Sequence, residues 1–149
     1  MFLCTAARSL RDEDEGYTLL ELIVVLAILA LIMGVAAPMV MKQFSKAKSD
    51  TAAIQVRALK SNMEFLYLDM GRYPSESEGL KALIERPQTA SSWNGPYVGE
   101  KSSIIDPWGR PYLYKLAPDQ AVPFMIYSLG ADGKEGGDGD NKDVYSSTL

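Results

Sequence analysis

The sequence predicts an α+β protein in which one long N-terminal helix, apolar in its first half and amphipathic in its second, packs on a small antiparallel β-sheet domain. Three observations predict it. Residues 22–41, LIVVLAILALIMGVAAPMVM, run for twenty positions without a charge. Beyond them Ala52, Val56, Leu59, Met63, Leu66 and Met70 recur at intervals of three and four, as one buried helical face requires. Later, residues 113–116 and 123–129 are short apolar and aromatic runs bounded by proline, a strand pattern.

Composition narrows the chemistry. The chain has 149 residues, enough for one small domain. Fifteen Lys+Arg stand against nineteen Asp+Glu, a net charge of −4. No basic surplus exists to neutralise a phosphate backbone, so nucleic acid is not an expected partner. Histidine is absent and Cys4 is the single cysteine. A Ser/His/Asp relay, an imidazole zinc site and an intrachain disulfide are thereby excluded. No enzymatic activity is expected.

The uncharged run spans about 30 Å as a helix, the thickness of a bilayer core. Residues 1–16, MFLCTAARSLRDEDEG, are polar, with Arg8 and Arg11 opposing Asp12, Glu13, Asp14 and Glu15. A secretory signal peptide would carry a small-residue cleavage site after its apolar stretch, whereas here the glycine comes before it. Gly16-Tyr17-Thr18-Leu19-Leu20-Glu21-Leu22, followed by the apolar helix, resembles the processing signature of type IV pilins and pseudopilins. The resemblance implies that a prepilin peptidase cuts between Gly16 and Tyr17 and methylates the new N-terminus. Three segments follow: a leader at 1–16, a transmembrane and assembly helix at 17–41, and a periplasmic domain at 42–149.

Glu21 is costly at the edge of a bilayer unless it is paired or lies at the interface. It either snorkels to the headgroups or pairs with the Tyr17 ammonium of a neighbouring subunit, and the family resemblance implies the second. The basic residues Lys42, Lys46 and Lys48 lie beyond the apolar run while the leader is acidic. Charge bias alone would therefore place the C-terminal domain in the cytoplasm. The processing motif is the more specific signal and places it in the periplasm. Pro38 cannot donate to the Gly34 carbonyl, so a kink or local unwinding is expected between Gly34 and Pro38.

The helix is expected to run from about Tyr17 to Met70, ended by Gly71 and Pro74. Ser75 and Glu78 read as a capping box ahead of a second short helix that Pro87 stops. Asn94-Gly95-Pro96 is a turn signal, and Asp106 to Tyr112, DPWGRPY, makes a rigid corner. Leu113–Leu116 and Pro123–Leu129 follow as a hairpin, turning at Pro118-Asp119.

In order, RYPSESEGLKALIE, WNGPYV, DPWGRPYLY and YSLGADGKEGGDGDNKDV resemble the major pseudopilin of type II secretion systems. This implies a pilin-like fold with a C-terminal calcium loop, and a homopolymeric periplasmic filament that drives folded exoproteins through an outer-membrane secretin. Implied partners are minor pseudopilins, the prepilin peptidase, an inner-membrane assembly platform with its cytoplasmic ATPase, and membrane lipid. The chain has no Walker motif, so energy must come from elsewhere. The rivals are a membrane-anchored, calcium-dependent periplasmic binding module and a type IV pilus subunit.

From Leu129 to Asp143 aspartates alternate with glycines. Composition leaves two readings open, a solvated end or a cation loop whose glycines fold oxygens inward. It is not an EF-hand, because counted from Asp138 the sixth position is Asp143 rather than glycine. The family resemblance implies one bound calcium. Asp132 and Asp143 match its pattern best, Asp138 and Asp140 are additional candidate ligands, and the Leu129 carbonyl is the backbone candidate.

Overall fold

The computed structural model describes residues 17–117 and 123–146. The leader with Gly16, and the turn at Pro118-Asp119, lie outside the described residues. The chain divides into two compact units between Met39 and Val40, and each is described by itself.

A single helix, α1, extends from Leu19 to Met70. Its start is set by Thr18, whose hydroxyl accepts the Glu21 amide at 3.2 Å, with Glu21 placed in the first turn where an acid meets the positive end of the helix dipole. In the first unit every described residue is exposed. Secondary structure is helical at each position through Gly34 and Pro38. The local unwinding expected there is not seen: α1 is continuous through Pro38, which has no amide proton to donate.

The second unit builds its core on the far half of α1. Ala52, Val56, Leu59, Met63 and Leu66 are buried, the face the spacing predicts, with Met70 half-buried at its end. Gly71 ends the helix at φ +71°, its amide donating to the Tyr67 carbonyl at 2.8 Å. A left-handed residue there meets an orphan carbonyl, and glycine adopts it without strain.

A three-stranded antiparallel sheet packs against this face, in the order β1 (Leu113–Leu116), β2 (Phe124–Ser128), β3 (Val144–Tyr145). Leu113 faces Tyr127 and Leu116 faces Phe124 across β1 and β2; Tyr127 faces Tyr145 across β2 and β3. On the central strand Phe124, Ile126 and Ser128 are buried while Met125 and Tyr127 are half-buried, the alternation of a strand with one face on a core. Tyr73 and Tyr114 lie against Phe124, with ring centroids at 4.8 and 6.2 Å. Tyr112 donates its hydroxyl to Gln55 on α1 at 2.6 Å, and burial pushes that phenol far up.

Two expectations are corrected. The second helix is a short 3-10 helix, Gly79–Leu83, rather than an α-helix. The capping pair does form, with the Ser75 amide donating to Glu78 at 2.8 Å and the Glu78 amide to Ser75 at 3.3 Å. Gly79 at φ +53° follows at once and breaks α-helical continuation. Leu129 lies beyond β2, which ends at Ser128. The third strand has two residues, too few for any periodicity to show.

Candidate assembly helix and cation loop

Two regions hold the candidate functional residues. In the first, Tyr17 is 77% exposed and Glu21 takes no ion-pair partner among the described residues. None of the apolar window of α1 is buried against protein. The helix is long and apolar enough to cross a membrane once.

The second region is the loop from Leu129 to Asp143, and a buried corner positions it. Asp106 is 5% exposed. Its Oδ1 accepts the amides of Trp108 at 3.0 Å and Arg110 at 2.8 Å, and its Oδ2 accepts the Ser128 hydroxyl at 2.6 Å. An aspartate ahead of Pro-Trp-Gly closes its own turn in this way, and the Ser128 bond ties that turn to the last residue of β2. Arg110 then donates to the Gly130 carbonyl at the loop's entry. Sequence reasoning recognised the corner but not this hub, because Ser128 lies 22 residues from Asp106.

The two limbs of the loop touch through backbone. Ala131 donates its amide to the Asp140 carbonyl at 2.9 Å. Gly130, at φ +61°, lies so close to Asn141 that an added Cβ would stand 2.6 Å from the Asn141 carbonyl carbon. Asp143 Oδ2 accepts the Gly136 amide at 2.9 Å and the Tyr145 hydroxyl at 2.7 Å. The Asp143 hydrogen bond, reinforced by burial, raises the Tyr145 phenol to about 12.

Two carboxylate oxygens are left over. Asp140 Oδ1 and Asp143 Oδ1 are buried without a hydrogen-bond partner, a state that costs free energy unless something else meets it. Asp132 and Asp138 are exposed, and Asp132 Oδ1 accepts the Lys134 amide at 3.1 Å. The Leu129 carbonyl accepts the Gly133 amide at 3.1 Å and keeps a second lone pair. Among the described residues no three acidic side chains converge closely enough to hold an ion by themselves. Backbone carbonyls must therefore share in any cation site, which suits a hard ion that accepts six to eight oxygens.

Known proteins match the segments of the chain that contain these two regions. Residues 39–147 match the family model "Type II secretion system (T2SS), protein G", and residues 13–37 match the prokaryotic N-terminal methylation motif. The chain is 39% identical over 138 residues to the type II secretion system core protein G of Pseudomonas aeruginosa, covering 90% of this chain and 95% of that one. It is 35% identical to the Vibrio cholerae protein of the same name, covering 89% and 90%. The crystal structure of the major pseudopilin from enterohaemorrhagic Escherichia coli superposes with a TM-score of 0.58 at 30% identity, over 73% of this chain and 90% of that one. With its methylation motif, apolar helix and domain all accounted for, the chain belongs to the protein G family of type II secretion, the major pseudopilins.

Proposed function

We propose that this chain is a structural subunit which, after cleavage between Gly16 and Tyr17, polymerises into the periplasmic pseudopilus of a type II secretion system and drives folded proteins across the outer membrane. It is a single-pass inner-membrane protein with a periplasmic domain. One observation carries the reading: the second unit completes a core of its own while none of the apolar window of α1 is buried among the described residues. Lipid covers that surface in the free subunit, and helices of other subunits cover it in the filament. Minor pseudopilins, the assembly platform with its ATPase, and the secretin are the partners this role requires.

Glu21 sets the register between subunits by meeting the Tyr17 ammonium of a neighbour, an ion pair that compensates both charges away from water. Electron microscopy of bacteria overproducing the full chain with its prepilin peptidase tests the proposal. Filaments are expected from the unsubstituted chain. Glu21→Val is expected to insert in the membrane normally and to form none. Absence of filaments from the unsubstituted chain refutes the reading, and normal filaments from the variant remove Glu21 from its role.

The loop holds one calcium ion in this reading. Asp140 and Asp143 present their orphaned oxygens and the Leu129 carbonyl adds a third ligand; Asp132 and Asp138 join by turning inward. A cation there neutralises carboxylates that otherwise repel one another. Because it binds the folded loop in preference to the unfolded one, calcium should raise the melting temperature of residues 42–149 relative to chelator. An unchanged melting temperature overturns the assignment.

A further inference from the structure

Three lysines stand at the end of the apolar run where charge bias disfavours them. Lys42, Lys46 and Lys48 follow that run while the leader is acidic, yet the domain they open is periplasmic. Basic residues on that side oppose the usual orientation rule, so their placement calls for a local use. None of the three has an ion-pair partner among the described residues. Two of them share a surface feature that the third does not. Lys42, Ser45 and Lys46, at spacings of three and one, fall on one face of α1 and line a cleft of about 530 Å³. Met41, the last residue of the apolar run, lines it too, and Gly139 and Asp140 of the loop form its other wall. Lys48 does not line it.

Position along α1 identifies what the cleft meets. With the apolar run in the bilayer core, Ser45 lies four residues beyond Met41, about 6 Å along the helix. The headgroup layer is about 5–8 Å thick on each side of that core. The cleft therefore opens at headgroup level, where the abundant anionic group is a lipid phosphate. Two ammonium groups and the Ser45 hydroxyl are donors, and phosphodiester oxygens only accept. Ser49, on the same face, already donates its hydroxyl to the Ser45 carbonyl at 3.4 Å. The acid on the wall, Asp140, has its Oδ1 buried, and the cation of the loop meets its charge in the reading above. Past Ser49 and Gly139 an adjoining hollow of about 470 Å³ carries Lys142, which likewise has no ion-pair partner among the described residues. Cations thus outnumber acids around the cleft.

We propose that this cleft between α1 and the loop binds the headgroup of an anionic phospholipid, with Lys42 and Lys46 on the phosphate and Ser45 donating to it. The inference rests on the single-pass, periplasmic reading and adds a lipid site to the free subunit. It gives the lysines a use on the side where orientation alone disfavours them.

The test reconstitutes the full chain in nanodiscs of phosphatidylcholine with or without phosphatidylglycerol, at constant calcium. Native mass spectrometry then counts the lipids that stay bound. A lysine at an anionic surface is worth about fivefold in binding. Phosphatidylglycerol should be retained over phosphatidylcholine, and Lys46→Gln should lower its retention about fivefold. Ser45→Phe fills the cleft, keeps every charge and should lower retention at least as far. Lys48→Gln, a neighbour off the cleft, should leave it nearly unchanged. Equal losses from Lys46→Gln and Lys48→Gln mean diffuse attraction to the surface and overturn the site. So does undiminished retention by Ser45→Phe. Lys46 and Lys48 are exposed, so that pair leaves the fold intact and decides the matter even where the phenylalanine disturbs the helix. Inorganic phosphate, retained in phosphatidylcholine discs as strongly as phosphatidylglycerol and lost in Lys46→Gln, would assign the site to free phosphate and overturn the lipid. A chain that does not enter discs overturns the single-pass reading and this one with it; entry without lipid preference overturns this one alone.

Discussion

Asp106→Ala offers the sharpest test of how the corner holds the loop. The substitution removes the acceptor of three hydrogen bonds, from the Trp108 and Arg110 amides and the Ser128 hydroxyl, at a site 5% exposed. Each stranded buried donor costs about 1–3 kcal/mol, and water entering the space left by the carboxylate recovers part of that. A net loss of about 3–5 kcal/mol follows, a large fraction of the roughly 5–15 kcal/mol that holds a domain folded. Urea denaturation of residues 42–149, followed by the fluorescence of Trp93 and Trp108, measures it. Asp106→Asn keeps one oxygen acceptor and offers the Ser128 oxygen a donor, so its loss should be about 1–2 kcal/mol. The ordering matters as much as the size: an alanine variant within about 1 kcal/mol of the unsubstituted domain, or an asparagine variant worse than alanine, would refute the hub.

Further outcomes are expected. The guanidinium of Arg72, donating to both Glu78 oxygens at 2.7 and 2.8 Å, lowers the Glu78 carboxyl from 4.5 to about 2. A depressed pKa gives stability that is present above about 4.5 and lost as pH falls toward 2. Because the Arg72 side chain is 40% exposed, solvent screening reduces the effect to about 1 kcal/mol. The melting-temperature gap between the unsubstituted domain and Glu78→Gln should therefore be widest near neutral pH and close within that window; a gap that widens in acid overturns the assignment. In the loop, Gly130→Ala meets backbone as well as a left-handed φ, whereas Gly136→Ala, at φ +92°, meets open space. Both should destabilise, by about 1–3 kcal/mol for the strained backbone alone, but calcium-dependent stabilisation should fall much further for Gly130→Ala. Equal effects would mean that the closure of the two limbs is unimportant.

Local signals carried far along this chain. Twenty uncharged residues, an apolar stripe at helical spacing and a terminating Gly71 locate α1 without any long-range knowledge, because helix hydrogen bonds join residues four apart. The processing motif is likewise contiguous, so seven neighbouring residues suffice to read it. The strands Leu113–Leu116 and Phe124–Ser128 were visible as short apolar runs. Ser75 and Glu78 bond each other as their spacing predicts, but only the fold shows that they close a turn ahead of a 3-10 helix whose own N-cap makes no side-chain bond, Gly79 taking a left-handed φ there.

What only the tertiary structure decided involves partners distant in sequence. Val144–Tyr145 becomes a strand because β2 presents an edge to pair with, not because two residues have a period. Asp106 becomes a buried hub because Ser128 arrives from 22 residues away. Within the loop, composition could not separate Asp140 and Asp143, whose oxygens are buried and unpartnered, from the exposed Asp132 and Asp138. Burial depends on how the limbs close at Gly130. On α1, periodicity named the residues that could be buried; Leu80, Leu83, Val98, Phe124 and Ile126 share a core with them, while Phe65 and Leu68 on the same helix stay exposed, because an apolar face is assigned only by what packs against it.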